Sequence, residues 1–78
     1  MTQIPATDTQ FVVCIHNDEY PAALEVRKIY QLVPDENAIK QRFVRVIDES
    51  GDDYLYPDTY FLPVDLPLAV KEALLYAA

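Results

Sequence analysis

The sequence predicts a mainly β domain of five short strands followed by a short C-terminal helix. Three observations carry that expectation. Runs rich in β-branched and aromatic residues recur between turn signals. The single glycine, Gly51, lies between two of those runs, and the apolar spacing turns helical only after Val64.

Residues 1–10 show little periodicity and read as a flexible N-terminal leader. Phe11-Val12-Val13-Cys14-Ile15-His16 is a β-rich run, apolar on both faces until His16. A polar-to-mixed loop follows, marked by Asn17 and Pro21, and residues 25–33 make the second strand, stopped by Pro34. Pro34-Asp35-Glu36-Asn37 opens a loop with room for one helical turn, since proline followed by acids suits a helix start. Gln41 to Glu49 is the third strand, and Ser50-Gly51 supplies a hairpin turn in which Gly51 takes a positive φ.

A two-residue loop would set Ile47 opposite Tyr54, Val46 opposite Leu55 and Arg45 opposite Tyr56. That register also faces Asp48 with Asp53 and Glu49 with Asp52, so either the turn is longer or the carboxylates splay into water. After the turn comes a short fourth strand rich in tyrosine, then a one-turn break opened by Pro57, and Phe61-Leu62-Pro63-Val64 as a final apolar strand. Pro67 then fits a first helical position, and Leu66, Val70, Ala73, Leu74 and Ala77 form a stripe at helical spacing that must dock on something. The expected organisation is a leader over 1–10, a β unit over 11–66 and a helix over 67–77 packed upon it.

At 78 residues the chain has room for one small core. One cysteine, Cys14, leaves no intramolecular disulfide to help it, so stability must come from packing of the 51% hydrophobic residues. The N-terminus lacks the pattern of a signal peptide and no apolar run approaches a membrane span, which makes cytoplasmic the expected location. Thirteen acidic residues against six basic ones give a net charge of −7. Such a surface repels phosphate backbones, so neither nucleic acid nor membrane is an expected partner, and the acidity favours basic partners.

Cys14 and His16 leave one face of a strand, the spacing of a possible thiolate pair, but no oxyanion feature accompanies them and a buried structural cysteine is expected. One histidine and one cysteine are too few for a zinc site, and Asp48, Glu49, Asp52 and Asp53 lack the alternation of a calcium loop. They read as a solvated acidic turn, and the chain is expected to carry no metal, no cofactor and no enzymatic activity. The tyrosines are the better lead, because tyrosine couples apolar area to a polar tip and is enriched at interfaces.

Pro57-Asp58-Thr59-Tyr60-Phe61 resembles the Pro-x-x-Tyr-apolar segment of SH3 domains, and the string from Val46 to Pro57 is similar to small bacterial SH3-like proteins of unassigned function. The resemblance implies a five-stranded SH3-like barrel. In that family the segment is a 3₁₀ turn whose proline and tyrosine line a groove for peptides. It implies a site of Pro57 and Tyr60 beside the loop carrying Asp18, Glu19 and Tyr20, joined by Tyr54. The tryptophan of SH3 grooves and the Ala-Leu-Tyr-Asp-Tyr signature are absent. The expected function is a non-enzymatic interaction module that binds a basic peptide or protein segment at an aromatic, acid-rimmed groove. The alternatives are a self-associating structural or regulatory domain and, more distantly, an acidic nucleic-acid mimic.

Overall fold

The computed structural model describes residues 6–76. Strands β1 (Gln10–Cys14), β2 (Ile29–Val33), β3 (Phe43–Ile47), β4 (Asp53–Pro57) and β5 (Phe61–Val64) form one open antiparallel sheet in the order β4-β3-β2-β1-β5. Helix α1 (Glu36–Lys40) joins β2 to β3, a 3₁₀ turn at Asp58–Tyr60 joins β4 to β5, and α2 (Leu68–Tyr76) follows β5. The protein is therefore mainly β with a short C-terminal helix. No helix among the described residues is long and apolar enough to cross a membrane.

Alternation along each strand builds the core from one face of the sheet. Val12, Cys14, Tyr30, Val46, Tyr56 and Phe61 are buried together, and Leu24 joins them from the loop between β1 and β2. Phe11, on the other face of β1, is also buried, so β1 is covered on both sides as its apolar sequence requires. α1 is set by Asp35, whose Oδ1 accepts from Ala38 N–H at 3.0 Å while Oδ2 accepts from Arg45 Nε at 3.0 Å. One carboxylate thus caps the helix and ties it to β3.

The strand limits differ from the sequence reading at each end where a special backbone geometry intervenes. β2 begins at Ile29 rather than at residue 25, because Arg27 adopts φ 77° and Lys28 N–H bonds back to Glu25. β3 begins at Phe43 rather than 41, because Gln41 caps α1 and Arg42 takes φ 64°. Arg42 occupies the position after the helix cap where glycine is favoured, its N–H donating to Ile39 and its carbonyl accepting from Asp58. Arg42→Gly should relieve the left-handed geometry and raise stability by about 0.5–1 kcal/mol, read as a higher midpoint in urea.

The β3–β4 connection is the longer of the two alternatives. Ile47 pairs with Asp53, Val46 with Tyr54, Arg45 with Leu55 and Val44 with Tyr56, leaving residues 48–52 as the loop. The two-residue register is thereby displaced by one position, and Arg45 does not face Tyr56. A slip of one residue exchanges the faces, and this register is the one that turns Tyr56 inward. Gly51 has φ 88° with nothing near a would-be Cβ, so its requirement is conformational rather than steric.

The two ends of the described chain meet. Of the expected leader, residues 1–5 lie outside the described residues; Ala6–Asp8 form a 3₁₀ turn, Thr9 is buried and Gln10 opens β1. α2 contacts that turn. None of its described residues is buried, and the half-buried ones are Lys71 and Leu75 rather than the expected stripe. Val70, Ala73 and Leu74 of the stripe are exposed, and Ala77 lies outside the described residues. With only Lys71 and Glu72 polar in nine residues, no apolar face stands out to choose the docking side.

Candidate functional site

The loop between β1 and β2 runs from Ile15 to Lys28 and folds back over the core face of the sheet. Its ends are pinned by Ile15 N–H to Tyr60 carbonyl at 2.7 Å and Arg27 N–H to Cys14 carbonyl at 2.7 Å. Its middle is held by a turn, with Leu24 N–H donating to Tyr20 carbonyl at 3.0 Å and Asn17 Nδ2 to Leu24 carbonyl at 3.0 Å. Leu24 then buries completely in the core. These contacts place Tyr20 beside two aromatic residues from the far end of the chain.

The Tyr20 ring stands edge-on to Tyr56, with centroids 5.0 Å apart, and 6.2 Å from Tyr60. Tyr54 lies tilted against Tyr56, with centroids 5.8 Å apart. The Tyr60 hydroxyl donates to the Asp18 carbonyl at 2.7 Å, locking the 3₁₀ turn to the loop. His16 adds an edge contact to Tyr60 at 6.4 Å. The result is an aromatic band, Tyr54–Tyr56–Tyr20–Tyr60–His16, whose Tyr54 end is 61% exposed.

Charge surrounds this band on the loop side. Asp18 and Glu19 are both exposed, and Glu19 adopts φ 74° at the loop tip. The Tyr60 hydroxyl is held above its ordinary pKa by burial, with the Glu19 and Asp18 carboxylates adding to the effect. Among the described residues no cation pairs with Asp18 or Glu19.

Of the residues that sequence reading assigns to the site, Tyr20, Tyr60 and Asp18 are in direct contact, Glu19 sits beside them, and Tyr54 connects through Tyr56. Pro57 is half-buried and pairs with Phe43, on the face of β4 opposite Tyr56. Two residues outside that set belong to the band. His16 reaches Tyr60, and Tyr56 is its hub although it is only 2% exposed. Tyr56 was legible as a neighbour of Tyr54 on one strand face, whereas the His16 contact spans 44 residues and has no local signal.

Behind the hub stands a buried carboxylate. Asp48 Oδ2 accepts from the Tyr56 hydroxyl at 2.5 Å, and its Oδ1 accepts from Ser50 N–H at 2.9 Å and Ser50 Oγ at 2.5 Å. Burial pushes the Asp48 pKa up, but these bonds from Ser50 and Tyr56 outweigh it and hold the group below the usual carboxylate value. Glu49 is engaged likewise, accepting from Tyr30 hydroxyl at 2.6 Å and pairing with Lys28 Nζ at 2.6 Å. So Asp48 is buried rather than splayed into water, while Glu49 stays exposed but is tied to Tyr30 and Lys28. They are the anchors of two core tyrosines.

Cys14 is fully buried, and its Sγ donates to the His16 carbonyl at 3.1 Å rather than meeting the imidazole. Burial raises its pKa, which keeps the group a thiol. Among the described residues no group of three or more His, Cys, Asp or Glu side chains is arranged to hold a metal ion. Compared with known proteins, the chain matches no protein family, no curated protein and no solved structure.

Proposed function

We propose that this chain is a non-enzymatic interaction module of SH3-like barrel architecture, binding a basic, extended peptide or protein segment along the aromatic band. The observation that carries this reading is the contact of Tyr20 with Tyr60 beside two exposed acids, Asp18 and Glu19. Tyrosine faces attract cations as well as apolar area, and carboxylates at the rim select positive charge. The barrel reading draws support from the consecutive antiparallel order of β1 to β4, the return of β5 to β1 and the 3₁₀ turn between β4 and β5.

The test is an amide-shift titration of labelled protein with short basic peptides, with and without proline. Shifts grouped on residues 16–20, Tyr54 and Tyr60 are the expected result. Tyr60→Ala should weaken binding by about tenfold or more, because it removes ring and lock together. Asp18→Ala keeps the backbone carbonyl that Tyr60 uses, so it isolates the charge. It should cost a few-fold in affinity and reduce the dependence on salt. Equal binding by both variants would end the proposal.

Self-association is the second reading, favoured by α2, where Leu68, Val70, Leu74 and Tyr76 are exposed on a helix that buries none of its described residues. Sedimentation over a wide concentration range separates the two: a strict monomer removes this reading.

A further inference from the structure

The two edges of the sheet are not alike, and the difference is in their backbone donors. β5 forms one edge and β4 the other. Tyr60 carbonyl accepts from Ile15 N–H just before the β1–β5 ladder begins at Cys14 and Phe61. Bonded and non-bonded pairs alternate in an antiparallel ladder, so Phe61 and Pro63 point their backbone polar groups outward. Phe61 N–H donates to the Asp58 carbonyl, and Pro63 has no N–H. The outer edge of β5 therefore offers no free donor, the protection that sheet edges ordinarily carry.

β4 carries that protection only at its last residue, Pro57, which has no N–H, and its first three residues are exposed. Asp48 N–H to Asp52 carbonyl and Asp58 N–H to Arg42 carbonyl bracket its ladder with β3. Alternation between those two bonds assigns Tyr54 and Tyr56 to β3 and turns Asp53, Leu55 and Pro57 outward. Among the described residues no acceptor reaches the N–H of Asp53 or Leu55. Leu55 is exposed, and a shallow surface cavity of about 350 Å³ lined by Arg45, Asp53, Tyr54 and Leu55 lies alongside.

We infer that β4 is a docking edge which takes an extended segment of another protein as a further antiparallel or parallel strand, apolar at its centre and carrying Lys or Arg at both ends. Charge selects this occupant. Asp52 and Asp53 precede Leu55 and Asp58 follows it, so acids stand at both ends of the edge. Arg45 reaches Asp53 at 3.8 Å, while no cation among the described residues pairs with Asp52 or Asp58. A second copy fits poorly, because two-fold pairing centred on Leu55 sets Asp52 of each copy against Asp58 of the other. The exposed Tyr54 ring presents a flat apolar face to whatever side chain the added strand places beside it. This inference goes beyond the aromatic-band reading, since it stands on the backbone of β4 and not on Tyr20 or Tyr60.

The test uses the full chain and a nine-residue peptide of alternating threonine and valine with two lysines at each end. In a labelled-protein titration, the Asp53 and Leu55 amides should shift and their hydrogen exchange should slow by at least about tenfold. Leu55→Pro, which removes an outward donor and leaves the β3 ladder intact, should weaken binding about tenfold. The same peptide N-methylated at its five central amides should not bind, a result that decides the matter even if Leu55→Pro does not fold. Four results would each overturn the inference: no binding, equal binding by the N-methylated peptide or by one with glutamates in place of lysines, dimerisation through β4, or shifts restricted to Tyr20 and Tyr60. The last of these leaves the aromatic-band reading standing and removes only this one.

Discussion

Asp48→Ala should lower the unfolding free energy by about 3 kcal/mol, because it strips a buried hydroxyl and a turn of a shared acceptor. Asp48 is 9% exposed and receives three hydrogen bonds, from Tyr56 hydroxyl, Ser50 hydroxyl and Ser50 N–H. Its loss leaves Tyr56, at the centre of the core, with an unmatched hydroxyl. A domain of this size holds only about 3–5 kcal/mol in all, so the variant should be partly unfolded at 25 °C. Chemical denaturation followed by tyrosine fluorescence measures it.

The same carboxylate links stability to pH, and the sign follows from the direction of its shift. In the folded state Asp48, Glu49 and Asp35 are all held below their ordinary values, Asp48 by Ser50 and Tyr56 against an opposing burial effect, Glu49 by Lys28 and Tyr30, Asp35 by Ala38 N–H and Arg45. A group depressed in this way stabilises the fold at pH above its unfolded value, near 4 for carboxylates, and that contribution drains away as pH falls through the folded value. The melting temperature should therefore fall steeply below about pH 4. Asp48→Asn should be less stable than the parent near neutrality and lose less on acidification. A variant whose acid limb superimposes on that of the parent would show that Asp48 contributes nothing to it.

Strand existence was legible because the β-rich runs are separated by residues with a local cause for breaking them: Pro34, Gly51, Pro57. Strand ends were not, because two of them depend on arginines in left-handed geometry, a conformation that the residue type does not announce. Gly51 marks where the β3–β4 turn lies but says nothing of its length. The length is settled by Asp48, whose partner Tyr56 lies eight residues ahead, and by Glu49, whose partner Tyr30 lies nineteen behind. Carboxylates beside a lone glycine read as solvent-facing; only the folded core shows that Asp48 is buried and that Glu49, though exposed, bonds a core tyrosine.

The candidate site divides in the same way. Tyr20, Tyr60 and the two loop acids could be named from sequence by the Pro-x-x-Tyr segment and a loose positional match. Tyr56 as hub could not, since a buried tyrosine and a surface one carry the same letter, and burial here follows from the one-residue register. The outward donors of β4 were equally hidden, because which residues turn their N–H outward depends on where the ladder begins.

Leu24→Ala separates the loop from the sheet it covers, and its effect should be among the largest that one substitution produces in this protein. Leu24 is 0% exposed and is the member of the core cluster that comes from the long loop. Truncating it removes apolar area and leaves a cavity under a segment with few other buried contacts, which costs about 2–4 kcal/mol. Two consequences should separate. The sheet, whose remaining core residues come from the strands, should keep its slow-exchanging amides whenever the molecule is folded. The loop should loosen, because the Tyr20 turn is tied down by Leu24 through both its N–H and its carbonyl. The Tyr20–Tyr56 and Tyr20–Tyr60 contacts should weaken together, visible as faster ring flipping of all three tyrosines by NMR. A basic peptide that binds the aromatic band should then lose affinity by more than the unfolded fraction explains, whereas one that pairs with β4 should lose no more than that fraction. The substitution touches neither surface, so the size of the excess loss reports which of the two the protein uses.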